Sequence, residues 1–277
     1  MPALPVASVL QSGIGNRESA IGESGHSFAV FGAEHFIAIA VVLGGSVALA
    51  MVGRARRAPI AGNREPIAGN GRPVAGNGRA RLDRAIRWAL AAGCVAFEVG
   101  EIGWHVGAGE KPLAASLPLH LCDISILIAP VVLLTANRYA FELLYFWGIG
   151  GTSQALLTPA LLSGFPAPRC ILFFLAHGLI LASVLYGTLA MRLRPPLWSL
   201  LRVWIATSAY ALLIIPVNVL LGTNYLYIIT PPPTPSLLSL LGRSPWDLLA
   251  MEAVAFAVFF ISYLPFLVAD WRASRAS

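Results

Sequence analysis

The 277-residue chain is 57% hydrophobic and only 12% charged, where an ordinary soluble domain carries about 25% charged residues. Its mean hydropathy is +0.74 and its formal net charge is +6. A water-soluble core of this size cannot hide so much apolar surface, so lipid must be part of the solvent, and the arginines lie between and at the ends of apolar runs rather than in the basic patch a nucleic acid would need.

Residues 1–28 lack a basic region followed by an apolar one, so they are expected to form an extracytoplasmic segment rather than a cleavable signal. Seven apolar segments follow, at 29–52, 85–107, 118–136, 140–161, 170–191, 202–222 and 247–268. Each is close to the roughly 20 residues that a helix needs to cross a hydrocarbon core. The predicted class is therefore all-α, a multi-pass bundle of seven transmembrane helices over 29–268. Of the 19 basic residues, only Arg17, Lys111, Arg169 and Arg243 fall on one side of these spans. The positive-inside rule then puts the N-terminus outside and the tail 269–277 in the cytoplasm of a plasma-membrane protein.

The connection 53–84 contains PIAGN at 59–63, PIAGN at 66–70 and PVAGN at 73–77. Its period of seven has no a/d apolar pattern, and its Gly, Pro, Asn and Arg content predicts a disordered basic cytoplasmic loop. The connection 223–246 differs. Tyr225, Tyr227 and Trp246 read as interfacial anchors around the stiff PPPTP of 231–235, and the whole as a semi-rigid lid.

Ionisable groups inside a bilayer cost about 2.5–3.5 kcal/mol each on insertion scales and usually face the bundle interior. At about 1.5 Å rise per residue, His35, Glu101, His105, His120, Cys122, Gln154, His177 and Asn218 all fall in a layer about 3–10 Å below the outer boundary. Glu98, Glu101 and His105 recur at helical spacing and form one stripe, which must face protein; Trp104 lies off it. Gly148 and Gly151 of GIGGTSQ are not followed by a phosphate-loop lysine and are assigned to helix packing, with Pro159 and Pro216 as kinks.

Cys122, in LPLHLCDIS (117–125), is the most informative single residue. A thiolate is the reactive form, and apolar surroundings disfavour it, so reactivity requires a nearby base or cation. His177 is the candidate base, at similar depth on another span and followed by Gly178, which permits close helix approach. His120 points to another face of its span, and Asp123 at i+3 can orient it. A membrane thiol more often packs as a small apolar residue, which is the reading for Cys94. Cys122 and Cys170 lie on the same side and would also allow a disulfide.

RxxxFELLYFWGIGGTSQALLTP (138–159), LPLHLCDIS (117–125), FFLAHGLI (173–180) and NVLLGTNYLYIITPP (218–232) resemble the YwaF-like bacterial integral membrane proteins and the related transmembrane protein 164 family of animals. The resemblance covers about residues 28–268. It implies a phospholipid acyltransferase with Cys122 as nucleophile and His177 as base, working through an acyl-thioester on membrane phospholipids and lysophospholipids without a cofactor or metal. In that mechanism Gln154, Asn218 or Asn224 would bind the oxyanion, supported by His35, Glu98, Glu101, His105, His120, Asp123 and Tyr225. Hydrolysis of the thioester is the variant with water as acceptor. Two other classes stand beside it. A transporter or sensor would use Glu98, Glu101 and His105 as a relay, although no internal repeat is evident. A zinc-dependent lipid hydrolase would draw on the same histidines and acids, although no span carries an HxxxH pair.

Overall fold

A computed structural model describes residues 27–57, 77–107, 109, 112–230 and 246–276. Among these residues the protein is helical throughout, with one isolated bridge between Ser27 and Ser163. Seven helices follow in chain order: α1 (Ala33–Arg57), α2 (Asn77–Gly107), α3 (Leu121–Thr135), α4 (138–157), α5 (Pro168–Ala190), α6 (Trp198–Leu221) and α7 (Trp246–Ala276). α4 contains a π-helical turn, Trp147–Gly151, and α5 ends in another, Tyr186–Ala190. Each helix lies on one of the expected apolar segments.

By length and composition, α1, α5, α6 and α7 can cross a membrane. The other three fall short for identifiable reasons. α2 carries Arg87, Glu98 and Glu101 within its apolar stretch, and α4 is interrupted by its π turn. α3 has 15 residues, about 22 Å of helix against a hydrocarbon core of about 30 Å.

Several boundaries differ from the sequence reading. α1 runs to Arg57 and α2 begins at Asn77, so both ends of the expected loop 53–84 are helical, while the repeat at 58–76 lies outside the described residues. The first turns of α2 are helical because their polar residues pack inward. Asp83 accepts a 2.7 Å hydrogen bond from the Tyr186 hydroxyl. Arg87 donates to the carbonyls of Leu133 and Leu134, two of the acceptors that the C-terminus of α3 leaves unpaired. The expected tail at 269–277 is likewise helical to Ala276. α4 stops at Leu157, so Pro159 ends that helix instead of kinking it.

α5 is the centre of the bundle, packed against α1, α2, α3 and α4. Its apolar window is 56% buried, against 17–22% for the other three spanning helices. Glycines let α4 approach its neighbours. A Cβ at Gly148 would stand 2.6 Å from Val184, and one at Gly150 would stand 2.9 Å from Val258. Of the two glycines assigned to packing from sequence, Gly148 packs and Gly151 has nothing within 4 Å. The π turn rotates the face, which explains the displacement by one residue. An ion pair between buried Glu142 and half-exposed Arg202, at 2.9 Å, ties α4 to α6.

Candidate active site

The segment LPLHLCDIS begins as non-helical chain, and α3 starts only at Leu121. His120 is the N-cap, with extended backbone, and its N–H donates to Asp123 Oδ2 at 2.9 Å. This cap-to-N3 contact is what starts the helix there. Cys122 therefore stands on the first turn, where backbone N–H groups lack intrahelical acceptors and the positive end of the helix dipole lies. Its Sγ donates to Asp123 Oδ1 at 3.3 Å. One carboxylate thus caps the helix with one oxygen and holds the thiol with the other. The Asp123 carboxylate contacts the His120 backbone, and the His120 side chain meets the Asp123 N–H in the reciprocal half of the capping box.

Non-helical backbone at membrane depth must find its hydrogen bonds within the protein. Here the partners come from about a hundred residues downstream. The Tyr225 hydroxyl donates to the Ala114 carbonyl at 2.7 Å and accepts from the Leu117 N–H at 3.1 Å. The Tyr210 hydroxyl donates to the Leu119 carbonyl at 2.8 Å. The Leu226 N–H donates to His120 Nδ1 at 3.4 Å, which leaves the imidazole proton on Nε2. Both Tyr225 and Tyr227 pack against the His120 ring. Tyr225 is 2% exposed, so it is a buried strut and not an interfacial anchor.

Asn218 and Asn224 build the turn that delivers these tyrosines. Asn218 Oδ1 accepts from the Tyr225 N–H and the Thr223 hydroxyl, and its Nδ2 donates to the Tyr225 carbonyl. Asn224 braces Ile229 and Thr230 in the same way. The two asparagines named as oxyanion donors are therefore engaged in architecture. The remainder of the expected lid, 231–245, lies outside the described residues.

Sequence reasoning read Tyr227 only as an interfacial anchor. Its ring packs against His120. Burial pushes the phenol above its ordinary pKa, and negative charge on Cys122 or Asp123 pushes it further, so it stays protonated at neutral pH. That coupling puts the phenol within electrostatic reach of the thiol. Only the long-range fold brings the two together, since 105 positions separate them.

The carboxylates of α2 complete the shell. Glu98 is 5% exposed, and its Oε2 is buried without a hydrogen-bond partner among the described residues. Asp123 and Glu101 are within electrostatic reach of Glu98, and Glu101 is within reach of Cys122. Glu101 pairs with His105 at 3.6 Å. Glu98 faces protein as expected and His105 is largely covered, but the Glu101 side chain is 36% exposed, with Trp104 half-exposed beside it.

Other expected members are not brought to this point. His177 is buried, and its Nδ1–H donates to the Phe173 carbonyl at 2.7 Å, leaving the Nε2 lone pair available. It lies between Ala176 and Gly178 of α5, the helix that packs on α3, but it is not hydrogen bonded to Cys122. Gly178 faces Val42 of α1 at an ordinary 3.6 Å, so it brings no helix close to α3. His35 is wholly structural. Its Nδ1 accepts from the Phe31 N–H at 2.9 Å and its Nε2–H donates to the Leu156 carbonyl at 2.6 Å, within a ring of phenylalanines. Gln154 donates to Thr158 at the end of its own helix. Cys122 and Cys170 are both free thiols, and Cys94 packs against Ser183. Among the described residues, no three His, Cys, Asp or Glu side chains are grouped so as to hold a metal ion.

The TMEM164 family profile matches residues 30–263. Over 117 residues the chain is 31% identical to an uncharacterized protein of Treponema pallidum (strain Nichols). That alignment covers 40% of this chain and 47% of that protein, so the chain spans about half the length of the relative. No solved structure matches it. The match spans every helix from α1 to α6 and enters α7, and four of these helices have membrane-spanning length and composition. The chain belongs to the TMEM164 family and is a membrane protein.

Proposed function

We propose that the protein is a thiol-dependent phospholipid acyltransferase of the plasma membrane, with seven spans, the N-terminus outside and the C-terminus cytoplasmic. The observation that carries this reading is the position of Cys122: a thiol on the first turn of α3, bonded to Asp123, with Tyr227 and Glu101 within electrostatic reach. The shortness of α3 supports it, because a helix of about 22 Å in a core of about 30 Å leaves its head below the membrane boundary, near the depth of phospholipid ester carbonyls.

In this mechanism Sγ rotates off Asp123 Oδ1, and the thiol proton passes to His177 Nε2, directly or across a bridging hydroxyl. The thiolate attacks the ester carbonyl of a donor phospholipid. The oxyanion of the tetrahedral intermediate accepts hydrogen bonds from the Tyr227 hydroxyl and the first-turn N–H groups of α3. Collapse breaks the ester C–O bond, His177 returns the proton to the departing lysolipid oxygen, and the acyl group stays on sulfur. A lysophospholipid hydroxyl then gives its proton to His177 and attacks the thioester, and the released thiolate is reprotonated. Water in place of that hydroxyl gives hydrolysis.

The test is acyl exchange between defined lipids by purified protein in vesicles. Both Cys122→Ala and His177→Ala should lose it; an undiminished rate in either removes that residue from the mechanism. A second reading rests on the unpartnered Glu98 oxygen beside Glu101 and His105, which would suit a proton relay in a transporter or sensor. Substrate flux into proteoliposomes that survives Cys122→Ala but not Glu98→Gln would favour it.

A further inference from the structure

α2 carries two acids one turn apart, Glu98 and Glu101, and the fold treats them differently. The Glu101 side chain is 36% exposed and pairs with His105 at 3.6 Å. Glu98 is 5% exposed, and no described residue donates to its buried Oε2. The charged groups that act on it, Asp123 and Glu101, are both acids.

α1, α3 and α5 pack on α2. α1 has no ionisable side chain between His35 and Arg54. α3 contributes Cys122 and Asp123, with His120 at its head engaged by Leu226 and the rings of Tyr225 and Tyr227. The phenols of Tyr210, Tyr225 and Tyr227 interact with Asp123. α5 contributes His177, whose Nδ1–H donates to the Phe173 carbonyl. On α2 itself Cys94 packs against Ser183, and the nearest arginine, Arg87, is eleven residues away and bonded to the end of α3.

A carboxylate buried in a membrane helix beside two like charges and without a donor is far costlier than the neutral acid, which leaves one carbonyl-type acceptor unmet. The partner that resolves this must be small. At 5% exposure Glu98 admits neither a lipid head group nor a hydrated ion. Among the described residues no three His, Cys, Asp or Glu side chains are grouped to hold a metal. A proton needs no cavity.

We propose that Glu98 holds a proton at neutral pH and is a positioning residue for the Cys122 thiol, acting through Asp123. Asp123 links the two: its Oδ1 accepts from the thiol at 3.3 Å, and its carboxylate is within electrostatic reach of Glu98. While Glu98 is neutral, a thiolate is opposed by Asp123 and Glu101 alone. Loss of the Glu98 proton adds a third negative charge, which strengthens the hold of Asp123 on the thiol hydrogen. Rising pH, which favours the thiolate of a free cysteine, therefore also switches on a charge against it here. The protonation does not depend on acyl transfer; its effect on the thiol deepens that reading.

The experiment uses the full chain in phosphatidylcholine vesicles. Infrared spectra in light and heavy water should show, at neutral pH, the isotope-sensitive carbonyl band of an un-ionised carboxylic acid. Glu98→Gln should reduce that band and Glu101→Gln should leave it. Alkylation of Cys122 by N-ethylmaleimide, read by peptide mapping, should run at equal rates in wild type and Glu98→Gln wherever the band persists. Above the pH at which it disappears, Glu98→Gln should be at least about threefold faster. Absence of the band from the wild type overturns the proposal even if the variant does not fold, and so does its full survival in Glu98→Gln. A rate ratio that departs from unity while the band persists, or stays at unity once it has gone, overturns the positioning role. Neither readout measures acyl exchange, so failure of the acyl-transfer reading in Cys122→Ala is a separate result.

Discussion

The head of α3 and the contact between the first turns of α1 and α5 contain the same local pair, a thiol donating to a carboxylate. Cys122 donates to Asp123 at 3.3 Å and Cys170 donates to Glu34 at 3.9 Å. Their surroundings separate them. Around Cys122 stand a protonated phenol, a helix N-terminus, two further acids and an imidazole. Around Cys170 stand Phe174, Leu175 and other hydrocarbon, with one acid. A thiol becomes a nucleophile when groups nearby take its proton and receive the charge it creates. The first region surrounds its thiol with polar groups of both kinds, donors at Tyr227 and the helix N-terminus and carboxylates at Asp123 and Glu101 that oppose a thiolate, while the second surrounds its thiol with hydrocarbon.

The largest expected effect is at the sulfur itself. Cys122→Ala should reduce acyl exchange between defined lipids to background, while Cys94→Ala, at a thiol packed against Ser183 in the core, should stay within about twofold. Loss of activity in Cys94→Ala with retention in Cys122→Ala would reverse the comparison. Next comes the base: His177→Gln should lower turnover by about 10²–10⁴-fold, measured as single-turnover acyl release. An effect below about threefold would place the proton with another group, Asp123 first.

The two tyrosines of the turn after α6 sharpen the contrast between chemistry and scaffold. Tyr227→Phe should reduce turnover by about 10²-fold, the worth of one oxyanion donor, with thermal stability unchanged. Tyr225→Phe removes a hydroxyl that bridges Ala114 and Leu117 and should cost about 1–3 kcal/mol of stability. If both variants only lower the melting temperature, Tyr227 is a strut like its neighbour. The smallest effect concerns packing. Gly148→Ala, where a Cβ would meet Val184, should destabilise by about 1–3 kcal/mol, and Gly151→Ala should be near neutral in the same melting experiment.

The contrast between these glycines shows what the sequence made legible. Apolar length located all seven helices, because that signal is local and summed over about 20 residues. It misplaced the start of α3, since LPLHL is as apolar as a helix turn and only the His120–Asp123 cap reveals where helix begins. It could not choose between Gly150 and Gly151, because the choice depends on a π turn. Depth alone gathered His35, Gln154 and Asn218 into one layer with Cys122. Depth does not specify direction around a helix, and those side chains turned out to satisfy Leu156, Thr158 and Tyr225. The Glu98 stripe was legible because three residues at helical spacing fix a face. Tyr227 was not, because its relation to Cys122 exists only after α3 and the turn beyond α6 meet.

The central claim is that sulfur at position 122 carries the acyl group. Incubating the purified protein with native lipids, quenching at acid pH and mapping thioesters by mass spectrometry tests it directly. The account predicts an acyl group on Cys122, absent from Cys94 and Cys170, removed by hydroxylamine, and accumulating when lysophospholipid is withheld. Full acyl exchange with no thioester on Cys122, or an acyl group found on Cys170 instead, would contradict it.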